Sequence, residues 1–159
     1  MSSPVLVFGW GNRARGDDAL GPLAIERLRA KLPATAPIEF LEDYQLLPEH
    51  ALDLMGRARV LFIDASVTAS APFELSEPVA AVDSAWTSHA LSPAALLKIH
   101  QSLRSGPVPP CTLLAIRGEC FGLGEPLSPL AASNLEAAVT WALGWLSETG
   151  ESTRTFVIN

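Results

Sequence analysis

Val5-Leu6-Val7-Phe8-Gly9-Trp10-Gly11-Asn12-Arg13-Ala14-Arg15-Gly16-Asp17-Asp18-Ala19-Leu20-Gly21 reads as a strand, a glycine-punctuated turn and the mouth of a helix. Val5 to Phe8 form the continuous apolar run of a parallel strand covered on both faces. Gly9 and Gly11 permit a sharp turn and close backbone approach where the strand stops. Apolar residues then recur at Leu20, Leu23, Ala24, Leu28 and Leu32, which predicts an amphipathic helix. In open α/β sheets, ligands bind beyond the carboxyl ends of the strands, where this turn must lie. Asp17 and Asp18 are therefore candidate site residues, although carboxylates also favour helix amino termini for purely structural reasons.

Further along, Ile38 to Leu41 is a second strand, and Val60 to Ile63 is a third, again wholly apolar and stopping at Asp64. Pro48 opens a helical segment that runs to Leu54 or Met55, with Gly56 placed to end it. Phe73-Glu74-Leu75-Ser76 alternates like an edge strand, and Thr112 to Ile116 is the last strand. Ser92-Pro93 and Ser128-Pro129 each pair a capping serine with proline at the first helical position. They open helices to about Leu103 and Leu146. Strands and helices alternating in this way predict a single α/β domain over residues 1–150, with a mostly parallel sheet of about five strands and a tail at 151–159.

With 48% apolar and 18% charged residues the chain is globular, and its net charge of -6 disfavours a phosphate backbone as partner. No apolar run approaches the roughly 20 residues that span a bilayer, so no membrane association is expected. Met1-Ser2-Ser3-Pro4 has no charged n-region, which predicts no signal peptide. Cys111 and Cys120 then read as reduced thiols in a cytoplasmic protein.

Asp64 emerges from an apolar strand at the carboxyl edge of the sheet, either as a functional carboxylate or as a turn cap. If the first strand lies beside the third, Asp18 and Asp64 face one another across one crevice. His89, in the loop before Ser92-Pro93, is a surface histidine by itself. Joined to two carboxylates, it completes a set suited to a borderline divalent metal. His50 and His100 fall in helical segments and are expected to be exposed. His-Glu-x-x-His, Gly-x-Ser-x-Gly and a complete dinucleotide fingerprint are all missing, and Glu42 is a weak ribose partner.

Three segments in order resemble the motifs of the nickel–iron hydrogenase maturation endopeptidases. They are Gly9-Trp10-Gly11-Asn12 with Gly16-Asp17-Asp18-Ala19-Leu20-Gly21, Phe62-Ile63-Asp64-Ala65, and Ser88-His89-Ala90-Leu91-Ser92-Pro93 followed by Leu96-Leu97. The resemblance implies a three-layer sandwich, a twisted sheet between helices. It also implies an endopeptidase that trims the carboxyl-terminal extension of the hydrogenase large-subunit precursor. In that family each segment supplies one nickel-contacting residue, here Asp18, Asp64 and His89. The nickel belongs to the precursor, so no permanently bound cofactor is expected. The other readings are a noncatalytic nickel- or precursor-binding chaperone and a small-ligand module built on the Gly9-Trp10-Gly11 turn.

Many members carry Asp-Gly-Gly after the second strand, where this chain has Glu42-Asp43-Tyr44-Gln45-Leu46. The glutamine–leucine form resembles proteases serving soluble, NAD-linked bidirectional hydrogenases. Trp10, Tyr44 and Gln45 leave the first two strands at the edge of the site and are expected to line the precursor-binding surface, with Trp10 equally readable as a lid on the core. A monomer is expected.

Overall fold

A computed structural model describes residues 3–82, 91–103 and 106–148. Five strands form one sheet: β1 (Val5–Trp10), β2 (Ile38–Asp43), β3 (Arg59–Ser66), β4 (Phe73–Ser76) and β5 (Cys111–Arg117). Their order is β2-β1-β3-β5-β4, with the first four parallel and β4 antiparallel at the edge. The helices are α1 (Leu20–Lys31), α2 (Pro93–Ser102) and α3 (Pro129–Ser147), with 3₁₀ turns at Gly16–Ala19 and Pro48–Leu54.

Side-chain alternation along the central strands divides the core in two. Val5 and Val7, Leu61 and Ile63, and Leu114 and Ile116 point to one face, where α1 and α3 cover them. From α1 come Leu20, Ala24, Ile25 and Leu28, and from α3 come Ala131, Leu135, Ala138, Val139, Ala142 and Leu146, both at helical spacing. Leu6, Phe8 and Trp10, with Val60 and Phe62, point to the other face, against Ala51 and Leu54 of the second 3₁₀ turn and Leu96 and Leu97 of α2. The result is the three-layer sandwich implied by the resemblance. Among the described residues no helix is long and apolar enough to cross a membrane.

The serine caps form as the dipeptides predict. Ser92 Oγ accepts from the Ala95 amide at 3.1 Å and Ser128 Oγ from the Ala131 amide at 3.1 Å. The first helix differs. Asp17 and Asp18 lie in the 3₁₀ turn before α1, and neither caps it through its side chain. Pro22 sits inside the first turn of α1, where its missing N–H is harmless. The third strand also runs two residues past the expected stop, so Asp64 is a strand residue and not a turn cap.

The histidine expectations fail. His100 is buried in α2, its Nδ1 3.4 Å from the Ala51 carbonyl oxygen. Its place beside Leu96 and Leu97 on the core-facing side of α2 explains the burial. His50 is mostly buried: Nδ1 accepts from the Leu47 amide at 2.8 Å, Nε2 lies 3.2 Å from Asp43 Oδ2, and its ring meets Phe8 edge-on at 4.6 Å.

Close approach of α1 to the strand ends requires glycine at position 21. A Cβ there would meet the Trp10 carbonyl oxygen, the Trp10 nitrogen at 2.8 Å and the Ile63 carbonyl oxygen at 2.9 Å. Those atoms are backbone and cannot swing away. Gly21→Ala should therefore cost about 1–3 kcal/mol, read as a lower urea midpoint with an unchanged slope.

Candidate active site

The loops after β1, β2, β3 and β5 meet at one edge of the sheet. Gly11 has φ +147°, and a Cβ there would collide with the Asp18 carbonyl oxygen, so only glycine lets the turn fold back over the end of β1. That fold-back brings the Asn12 amide to 2.7 Å from Asp18 Oδ2. Among the described residues no donor meets Oδ1, and the side chain remains partly exposed at the crevice.

Asp64 reaches the same place from β3. It follows Val60 and Phe62 in alternation, so its carboxyl continues the line of Trp10's face. Oδ1 accepts from the Ala65 amide at 2.8 Å. Burial is the main reason its pKa is pushed up from 3.8 to about 7. The Ala65 amide opposes the rise, and the Asp18 charge adds to it. Asp18, in the turn after β1, and Asp64, near the end of β3, thus lie within electrostatic reach of one another at the carboxyl edge of the sheet. His89 lies outside the described residues. Among those described, no group of three His, Cys, Asp or Glu is placed to hold a metal ion.

Asp17, one residue from Asp18, does something different. It is fully buried, and its carboxylate accepts from the amides of Glu119 at 2.8 Å, Cys120 at 3.0 Å and Ser128 at 2.8 Å, and from the Ser128 hydroxyl at 2.7 Å. Burial alone would raise its pKa, but these four donors outweigh it and hold the carboxyl below its ordinary value. Asp17 therefore ties the β1 loop to the β5 loop and to the cap of α3. Two backbone bonds add to the seam: Asp17 N to the Cys120 oxygen at 2.7 Å and Gly124 N to the Ala14 oxygen at 2.7 Å.

On the other side of Asn12 lies a cleft of about 370 Å³, lined by Gly11, Asn12, Arg13, Ala14, Glu42, Asp43 and Tyr44. Sequence reading missed its organiser. Arg13 grips Glu42 with Nε at 2.8 Å and a terminal nitrogen at 2.9 Å, and reaches Glu26 of α1 at 3.0 Å. The bidentate bond to Arg13 is the main cause that holds the Glu42 carboxyl below its usual range. Tyr44 is 73% exposed at the cleft, while Gln45 is half-buried and outside its lining. Trp10 is not on the surface. It is 6% exposed, packed edge-on against Phe8 at 5.9 Å and Phe62 at 5.8 Å.

The same fold recurs in solved structures. The nickel–iron hydrogenase maturation protease HycI from Thermococcus kodakarensis KOD1 matches at a TM-score of 0.72 and 21% identity, over 91% of this chain and 93% of that one. The fold is that of the hydrogenase maturation peptidases. The hydrogenase maturating endopeptidase HybD from Escherichia coli matches at a TM-score of 0.72 and 25% identity, over 94% of each chain. A hydrogenase 2 maturation peptidase from a Thaumarchaeota archaeon matches at 0.59 and 24%, over 89% and 97%. No family model and no curated protein matches the chain. The superpositions with HycI and HybD take in 91% and 94% of this chain, so the match spans its single α/β domain and five-stranded, mostly parallel sheet.

Proposed function

We propose that this chain is an endopeptidase that removes the carboxyl-terminal extension from the nickel-loaded large-subunit precursor of a nickel–iron hydrogenase. What supports the reading is the pair Asp18 and Asp64, within electrostatic reach of one another at the carboxyl edge of a fold that hydrogenase maturation endopeptidases share over more than nine-tenths of the chain. The nickel arrives in the precursor and is part of the substrate. Asp18, Asp64 and His89 are the residues assigned to meet it, with Tyr44 on the rim where the precursor docks.

The charge balance of the site suits a transient cation. Among the described residues neither carboxylate has an ion-pair partner, and a divalent ion between them would remove their repulsion and offset their desolvation. Asp64 holds a proton near neutral pH until that ion arrives, so engagement releases it. An empty precursor brings no cation and leaves the pair repelling, which links recognition to completed metal loading.

The narrower assignment, to proteases serving soluble NAD-linked hydrogenases, rests on the Gln45-Leu46 form of the β2 loop. In that loop Leu46 is buried in the core while Tyr44 projects. Both cysteines are free, which accords with work in a reducing cytoplasm.

Intact-mass measurement of nickel-loaded precursor after incubation with the purified chain tests the activity. Loss of a carboxyl-terminal peptide from the precursor is the expected result. A stable complex with an uncut precursor would assign the noncatalytic chaperone role instead.

A further inference from the structure

Asn12 stands between the candidate active site and the cleft next to it. Its backbone N–H donates to Asp18 Oδ2 at 2.7 Å, and its carbonyl oxygen accepts from the Arg15 amide at 3.1 Å. Its side-chain oxygen accepts from the Ala14 amide at 2.8 Å. A backbone N–H can only donate, so this bond fixes which end of the carboxamide is oxygen and leaves the NH₂ as the outer end. Among the described residues no acceptor meets that NH₂. It is the one polar group of Asn12 left over, on a half-buried side chain that lines a cleft of about 370 Å³.

The charged groups of the lining are occupied with their own partners. Arg13 holds both oxygens of Glu42, at 2.8 and 2.9 Å. Asp43 Oδ1 accepts from the Tyr44 amide at 2.7 Å, and Oδ2 lies 3.2 Å from His50 Nε2. Nδ1 of that histidine accepts from the Leu47 amide at 2.8 Å, so the ring carries its proton on Nε2 and donates it to Asp43. The Gly11 amide is taken by the Asp43 carbonyl oxygen at 3.0 Å. With its cation and its carboxylates already partnered, the cleft offers an incoming molecule a neutral donor at Asn12 beside the exposed ring of Tyr44. A peptide carbonyl matches that donor, whereas a free ion would have to break the existing pairs.

We propose that this cleft takes a main-chain segment of the precursor, with the Asn12 NH₂ donating to one of its peptide carbonyl oxygens. The proposal rests on the processing function above and gives the chain that flanks the metal its own subsite. Asn12 then serves both sides: its backbone N–H holds Asp18, and its side chain holds the peptide.

Asn12→Asp keeps the shape and the oxygen that accepts from Ala14, and changes only the donor end into an acceptor. Affinity for fluorescently labelled, nickel-loaded precursor is read by stopped-flow before cleavage and well below the melting transition, so that it reports the cleft and not the folded fraction. The Kd of Asn12→Asp should rise about tenfold with the melting temperature near wild type. A further negative charge beside Asp18 would by itself tighten the hold on a cation, so weaker binding reports the lost donor. Asn12→Ser, which removes the NH₂ without adding charge, should raise Kd about 3–10-fold. Wild-type affinity in either variant overturns the proposal, and a lower melting temperature with that affinity would make Asn12 a turn residue only. A wild-type chain that binds the precursor and leaves it uncut overturns the proposed function, while the affinity ratio still decides the subsite. A wild-type chain that binds no precursor overturns both.

Discussion

Asp64→Asn should abolish precursor processing and at the same time make the protein more stable above neutral pH. The sign follows from the raised pKa. Between 3.8 and about 7 the folded protein binds a proton at Asp64 that the unfolded chain does not. Stability therefore falls as pH rises through that window, and the deficit is complete above it. Asparagine has no charge to bury. Its oxygen can still accept from the Ala65 amide, and its NH₂ can donate toward Asp18. We expect no difference near pH 4 and a gain on the order of 1–3 kcal/mol at pH 8. For a domain of this length that is about 2–4 °C in melting temperature per kcal/mol. A stabilised and inactive variant is the signature of a carboxylate retained for chemistry at a cost in stability. Paired melting curves at the two pH values, with a processing assay, check it. A variant that melts lower at pH 8 would make Asp64 a structural residue.

The neighbouring acid should behave in the opposite way. Asp17→Ala leaves three buried or half-buried amides and one hydroxyl without their acceptor at the junction of the β1 loop, the β5 loop and the cap of α3. Each bond to an ionised group contributes about 1.5–3 kcal/mol, and partial rescue by water brings the expected loss to about 3–5 kcal/mol. Asp17→Asn should be milder, since Oδ2 takes three of the four donors and an asparagine oxygen can replace it there. The folded pKa of Asp17 is lowered, so its stabilisation is present above the ordinary carboxylate range and is lost as acid protonates it. Urea titrations of both variants at neutral pH measure the losses. Turnover per folded molecule of Asp17→Asn should remain, in contrast to Asp64→Asn.

The contrast between adjacent aspartates shows where sequence reading stops. Strand positions were legible because continuous apolar runs such as Val60 to Ile63 leave few alternatives, and the Ser-Pro pairs announce their own helices. Bringing Asp18 toward Asp64 depended on β1 lying beside β3, a condition that the β2-β1-β3 order meets. Which of Asp17 and Asp18 is structural depends on donors more than 100 residues away, beyond any local pattern. Arg13 was overlooked for the same reason, its carboxylate lying 29 residues on. His100 could have been read as buried from its spacing to Leu96 and Leu97. Trp10 was legible as core from its alternation with Leu6 and Phe8.

In the proposed function the carboxylate pair reads nickel in the precursor. The direct test presents the purified chain with the same precursor in two forms, nickel-loaded and nickel-free, and records intact mass over time. Loss of the carboxyl-terminal extension from the loaded form alone is the result this structure predicts. Cleavage of both forms at equal rates would contradict it.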